Sequence, residues 1–269
     1  MKNGFEILSE QKFLVYSLIT IGFIFLIANL FEQEDYPVFK NWYATDILYF
    51  IIPAIGILLG IFLSVKYGAK GNHGKAWILL TLAMVSWYIG ELTFVYENEY
   101  DVENIASFTS DIFYILGYPL IFGFAVFYLK ARRKIISNQM ILAASAVSFA
   151  LVIPSLYISF DLEEEALEPI EIFIVAIYPI LDGIVLAPAL IGVILFLRGQ
   201  VNLLWSLMMI GLLCEVTGDT LYLGSYIDDS YYPGHISDMF YQWSYVLFVF
   251  GFYSHFKLYK KEPMEKLEN

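Results

Sequence analysis

The sequence predicts an all-α polytopic membrane protein with eight transmembrane helices, arranged as two parallel four-helix repeats with both termini cytoplasmic. Composition, the placement of basic residues and a pentapeptide written twice predict it. Of 269 residues, 59% are hydrophobic and 16% charged, with mean hydropathy +0.66. Soluble domains run at about 45–50% apolar and about 25% charged. Of the 15 basic residues, all but Lys40 flank apolar runs on alternate sides, as retention of Lys and Arg in the cytoplasm requires. "SDIFY" at 110–114 returns as "SDMFY" at 237–241, each ahead of a long apolar run.

A span needs roughly 20 mostly apolar residues. The first runs from 13 to 31 behind Lys2 and Lys12; it is too long for a secretory signal and lacks a small-x-small cleavage site. The second, 46 to 65, opens on Thr45-Asp46 and closes on Lys66, Lys70 and Lys75. The glycines of "GAKGNHGK" that follow read as turn residues, with no preceding strand to make them a phosphate loop. The third, 76 to 95, carries Trp87, Gly90 and Glu91; the fourth, 111 to 129, opens on Ser110-Asp111 and closes on Lys130, Arg132, Arg133 and Lys134. The fifth covers 138 to 160. The sixth, 171 to 197, opens on Glu171, holds Asp182 and ends at Arg198. The seventh, 202 to 223, contains Cys214, Glu215, Gly218 and Asp219, and the eighth, 238 to 256, opens on Ser237-Asp238 and closes on Lys257, Lys260, Lys261 and Lys266.

A nearly constant offset joins the two sets of four. Pro53 pairs with Pro179, Gly90-Glu91 with Gly218-Asp219, Asp111 with Asp238, Tyr114 with Tyr241 and Lys130 with Lys257, at separations of 126 to 128. Apolar identities count for little in such a chain, but prolines and acids are restricted or costly within a span. Four spans per copy is even, so the copies insert the same way up, as parallel repeats over 1–136 and 137–269.

The net charge of −12 is not spread evenly. Apart from Glu6, Glu10, Glu262, Glu265 and Glu268, the acids lie in outer loops or the outer parts of helices. No basic patch suits a nucleic acid. One cysteine, Cys214, excludes an intrachain disulfide and any site of several thiolates. His73, His235 and His255 fall in an inner loop, an outer loop and an inner helix end, which separates them as ligands of one zinc ion, and no HExxH, GxSxG or P-loop signature occurs.

Asp111 and Asp238 follow a serine at a helix start, where capping and the helix dipole account for them. Glu91, Asp182, Glu215 and Asp219 lie within apolar runs, where an acid is by default a functional candidate. Counting along the helices places Glu91 and Asp219 near the outer interface and Glu215 and Asp182 several Å deeper, as an outer-leaflet ring. Glu215 and Asp219 share a helix face, as do Trp87 and Glu91 in the first half. Tyr96, Tyr100, Tyr222, Tyr226, Tyr231 and Tyr232 gather at the same end, either as an interfacial aromatic belt or as part of an outward-facing cup. The candidate ligand-binding set is therefore Trp87, Glu91, Asp111, Asp182, Glu215, Asp219 and Asp238. It suits a cation or small polar ligand on the outer side, with no catalytic residue or cofactor assigned.

The region "SWYIGELTFVYENEYDVENIASFTSDIFYILGYPLIFG" resembles one found in multi-pass N-terminal membrane domains fused to diguanylate cyclases and histidine kinases. The residues that carry the resemblance are Trp87, Gly90, Glu91, Asp111, Phe113, Tyr114, Tyr118 and Pro119, with a weaker second copy at Gly218, Asp219, Asp238, Phe240 and Tyr241. It implies a sensing or ligand-binding module in the cell membrane. The tail "KLYKKEPMEKLEN" is too short for a cyclase or kinase, so a signalling partner protein is expected to supply the output. Two alternatives belong to other classes: a cation- or proton-coupled transporter, and an intramembrane lipid hydrolase in which Glu215, Asp219 or Asp182 acts as acid or base.

Overall fold

The computed structural model describes residues 16–23, 44–100, 108–160, 169–196, 201–228, 230–232 and 234–261. Among these there is no strand, and residues 16–23 are helical. The long helices are α1 (Ala44–Tyr67), α2 (Gly71–Tyr100), α3 (Thr109–Leu129), α6 (Pro169–Phe196), α7 (Asn202–Ile227) and α8 (Ile236–Lys261), with the shorter α4 (Asn138–Leu151) and α5 (Ile153–Phe160) between α3 and α6. Five helices, α1, α2, α3, α6 and α7, are long and apolar enough to cross a membrane, and α4 with α5 makes a sixth if that pair, bent by 50°, is one span. The first expected span lies mostly outside the described residues. The last, α8, is 26 residues long but less apolar, carrying Asp238, Gln242 and His255 among its aromatics. Residues 24–43, 101–107 and 161–168, the side chains of Thr45, Asp46 and Glu171, and the charged tail from 262 also lie outside what is described.

Packing closes six helices into a ring: α1 lies against α2, α2 against α3, α3 against α6, α6 against α7, α7 against α8, and α8 against α1. The order of contacts is unchanged by a step of three helices around the ring. The α4–α5 pair lies outside the ring, against α6 and α7. Apolar side chains such as Leu58, Val65, Ile112, Leu142 and Phe173 remain exposed, as on a lipid-facing surface. The interior is aromatic: Trp77, Phe124, Trp205, Phe248 and Phe252 are fully buried, and Phe124 stacks on Trp205 at 5.7 Å between ring centroids.

The α1–α2 turn follows from its glycines. Gly68 and Gly71 adopt φ of 68° and 87°, a region closed to most side chains. Gly74 follows within α2, where a Cβ would stand 1.7 Å from the Gly68 carbonyl oxygen.

The start of α3 differs from the serine cap read in the sequence. Phe108 occupies the cap position and makes no side-chain bond. Glu97, on the last turns of α2, instead accepts from Thr109 N at 3.1 Å, Ser110 N at 3.2 Å and Ser110 Oγ at 2.7 Å. A carboxylate borrowed from the preceding helix satisfies the free N–H groups and faces the positive helix end. Glu97→Ala is expected to cost about 1 kcal/mol and to accelerate amide exchange at Thr109 and Ser110, as read by hydrogen–deuterium exchange.

Candidate functional site

The Gly-acid pairs organise the site from the backbone upward. A Cβ at Gly90 would lie 2.7 Å from the Tyr114 ring, and one at Gly218 would lie 2.7 Å from the Tyr241 ring. Glycine thus lets each tyrosine ring lie flat against the neighbouring helix, and each hydroxyl then meets the adjacent acid. Tyr241 donates to Asp219 Oδ1 at 2.7 Å, and the Tyr114 hydroxyl lies beside Glu91. A second tyrosine arrives from the other side of the ring. Tyr245 on α8 donates to Glu91 Oε1 at 2.7 Å, while Tyr118 on α3 lies 3.0 Å from Asp182 Oδ1 and 3.3 Å from Asp219 Oδ2. Each Gly-acid pair is therefore met by one tyrosine from its own set of helices and one from the opposite set.

The two sides then diverge. Trp87, one turn before Glu91, donates its indole N–H to the Tyr114 carbonyl at 3.0 Å and packs edge-on against Tyr118 and Tyr245. Glu215 holds the same place relative to Asp219 and accepts from the Ser244 hydroxyl. Asp182, from α6, adds a third carboxyl beside Asp219, whereas the offset that pairs the prolines pairs Asp182 with Gly56. Glu91, Glu215 and Asp182 are 8%, 9% and 1% exposed, and Oδ2 of Asp182 has no hydrogen-bond donor.

Asp182, Glu215 and Asp219 thus come together, with Glu91 and Trp87 adjacent across the ring. Asp111 and Asp238 do not join them. Asp111 accepts from Tyr178 at 2.6 Å. Asp238 accepts from Gly234 N at 2.9 Å and Tyr231 at 3.3 Å, and Tyr49 donates to its carbonyl at 2.9 Å. Asp182 and Glu215 sit halfway along α6 and α7. α2 and α7 extend to Tyr100 and Ile227, beyond the ends at 95 and 223 read from hydropathy. Only Glu91 and Asp219 lie in the outer third of their helices.

Tyr178, Ser244 and Tyr245 were not singled out in the sequence, although Tyr245 follows Tyr118 by the same 127 residues that separate the pentapeptides. His73 and His255, both expected at the inner side, also meet. His73 lies in α2, not in a loop, and the two imidazoles are 5.5 Å apart between centroids. Tyr67 contacts His255 Nε2 at 2.8 Å, and Tyr128 packs 4.6 Å from His73. His235 lies apart at the start of α8, where its Nδ1 faces the Ser237 hydroxyl at 2.9 Å and partial burial lowers its imidazole from the ordinary range.

The chemistry available at the cluster is acid–base and cation binding. Three carboxyls share donors from Tyr118, Tyr241 and Ser244, with repulsion growing as more of them ionise. Glu215→Gln keeps an oxygen for Ser244 and removes a charge beside Asp219. It is expected to raise stability in detergent by about 1 kcal/mol; a fall in melting temperature would instead make the charge itself a stabilising element.

The chain matches no protein-family model, no curated protein and no solved structure.

Proposed function

We propose that this protein is a sensor-like, ligand-binding membrane module of eight helices in two parallel repeats, with both termini cytoplasmic and its output passed to a partner protein. The repeat reading is supported by the ring order of contacts and by the matched Gly90–Tyr114 and Gly218–Tyr241 approaches. The observation that carries the binding reading is the gathering of Asp182 and Asp219, on two helices, beneath one hydroxyl from the opposite half, with Glu215 one turn before Asp219. At Glu91 the Tyr245 hydroxyl serves one acid and is shared with no other. Glu215 brings the Ser244 hydroxyl as its donor, but Asp182 adds a carboxyl that must share the Tyr118 hydroxyl and leaves its Oδ2 without a donor, which is the signature of a site that completes itself with something else.

A thermal-shift screen of the purified protein with Ca²⁺, Mg²⁺, lipids and organic cations tests this reading. A selective stabilisation that disappears in Asp219→Asn is the expected result; a response unchanged by that substitution counts against the site. The mid-helix position of Asp182 and Glu215 favours a second reading, a cation- or proton-coupled transporter, because sites of that class lie near the bilayer midplane. Flux across proteoliposomes carrying the purified protein separates the two, since a sensor shows none.

A further inference from the structure

We infer that the cluster of Asp182, Asp219 and Glu215 is a proton-binding site, in which Asp182 and Asp219 hold one proton between them beneath the Tyr118 hydroxyl. The inference rests on the ligand-binding reading above and names its ligand: the module responds to proton concentration.

The first half serves as the internal reference. Glu91 accepts from the Tyr245 hydroxyl, which serves no other acid, and has the Tyr114 hydroxyl beside it. Around Asp219 the same two tyrosine positions are filled by Tyr241 and Tyr118, but Asp182 and Glu215 have been added where the offsets place Gly56 and Trp87. Ser244 serves Glu215, so Tyr118 and Tyr241 serve both aspartates. Tyr118 carries one hydroxyl proton and lies within reach of both acids. Asp182 is nine-tenths or more buried, its Oδ1 is taken by Tyr118, and its Oδ2 has no donor. A carboxyl in that position is satisfied by becoming a donor itself: a proton on Asp182 lets it donate to Asp219, whose Oδ2 shares the Tyr118 hydroxyl with Asp182 Oδ1, and removes one charge.

Among the described residues, the groups that act on Asp182 are acids and a tyrosine hydroxyl. The titratable side chains facing the pair are Tyr118 from α3 and Glu215 from α7, with Tyr241 of α8 and Tyr178 of α6 beside Asp219 and Tyr118. Of the remaining helices against α6, α4 has no titratable residue, and α5 has only Tyr157, which is exposed. Among the described residues, no three His, Cys, Asp or Glu are arranged to hold a metal ion, which favours the proton over a divalent cation. Loss of the proton leaves two carboxylates competing for one hydroxyl, so Tyr118 links the protonation state of α6 and α7 to α3 of the other half.

The test is infrared spectroscopy of the carboxylic acid C=O stretch during an acid-to-alkaline titration of the full chain in lipid. The wild type is expected to show a protonated-carboxyl band that titrates. The band should be lost or diminished in Asp182→Asn, retained in Glu91→Gln, and moved to a different titration midpoint, by about one pH unit or more, in Tyr118→Phe. Absence of the band from the wild type, or its persistence unchanged in folded Asp182→Asn, overturns the inference. If Asp182→Asn fails to fold, the wild-type titration and the Tyr118→Phe midpoint decide; an unmoved midpoint overturns it equally. The two readings fail separately. A cation that stabilises the wild type in the absence of the band leaves the binding site standing and removes the proton. A titrating band without any pH or ligand effect on stability or amide exchange leaves the proton bound and removes the sensor.

Discussion

Gly117→Ala is expected to lower stability by about 3 kcal/mol, combining overpacking with loss of a buried indole hydrogen bond. A Cβ at this position would stand 2.0 Å from Nε1 and 2.3 Å from Cδ1 of Trp87, which is 3% exposed and donates to the Tyr114 carbonyl. The indole cannot yield without giving up that bond or pushing on Tyr118 and Tyr245, which meet its ring edge-on. Gly224→Ala is the matched control, because nothing lies within 4 Å of its Cβ position and alanine favours the helix by about 0.5–1 kcal/mol. Thermal unfolding in detergent should separate the two variants in opposite directions. Trp87→Leu in the Gly117→Ala background should recover part of the loss, as the clash and the indole are removed together. Additive effects would show that the indole is not what Gly117 accommodates.

The acids, the glycines beside them and the paired pentapeptides were legible because such residues are costly in a membrane span and therefore stand out against Leu, Ile and Phe. Trp77 and Trp205 lie 128 residues apart, and Tyr118 and Tyr245 lie 127 apart, so their correspondence was present in the sequence too. It was hidden by a chain with 21 tyrosines and 23 phenylalanines, where aromatic coincidence is common. Spacing along one helix places Glu215 and Asp219 on one face, but it does not say which helix brings the hydroxyl. That Tyr245 serves Glu91 across 154 residues is decided by α1 and α8 closing the ring. The end of α2 was misjudged for a related reason: hydropathy ends a span at its first polar residues, whereas α2 continues to Tyr100, and its Glu97 caps α3.

Tyr245→Phe is the substitution expected to loosen α8 from α2. The Tyr245 hydroxyl reaches Glu91 at 2.7 Å from a side chain that is 3% exposed, and its loss leaves Glu91 with Tyr114 alone. Removing one partner from a buried bond to a carboxyl costs about 1–3 kcal/mol, and the upper part of that range applies here because water does not reach the freed oxygen. Glu91→Leu carries its own cost, since it strands both hydroxyls. With Tyr245→Phe added it should cost less than the sum of the two single changes, because one stranded hydroxyl is then gone. A coupling of about 1–2 kcal/mol in that cycle, read from unfolding in detergent, is the expected result; a coupling near zero would mean α2 and α8 are joined by apolar packing alone. The contrast with Tyr118→Phe then carries the functional argument. Phenylalanine at 245 frees one acid that retains a donor, whereas phenylalanine at 118 removes the hydroxyl on which two acids converge. The first change should weaken the frame without altering its response to ligand or pH, and the second should alter that response even where the frame survives.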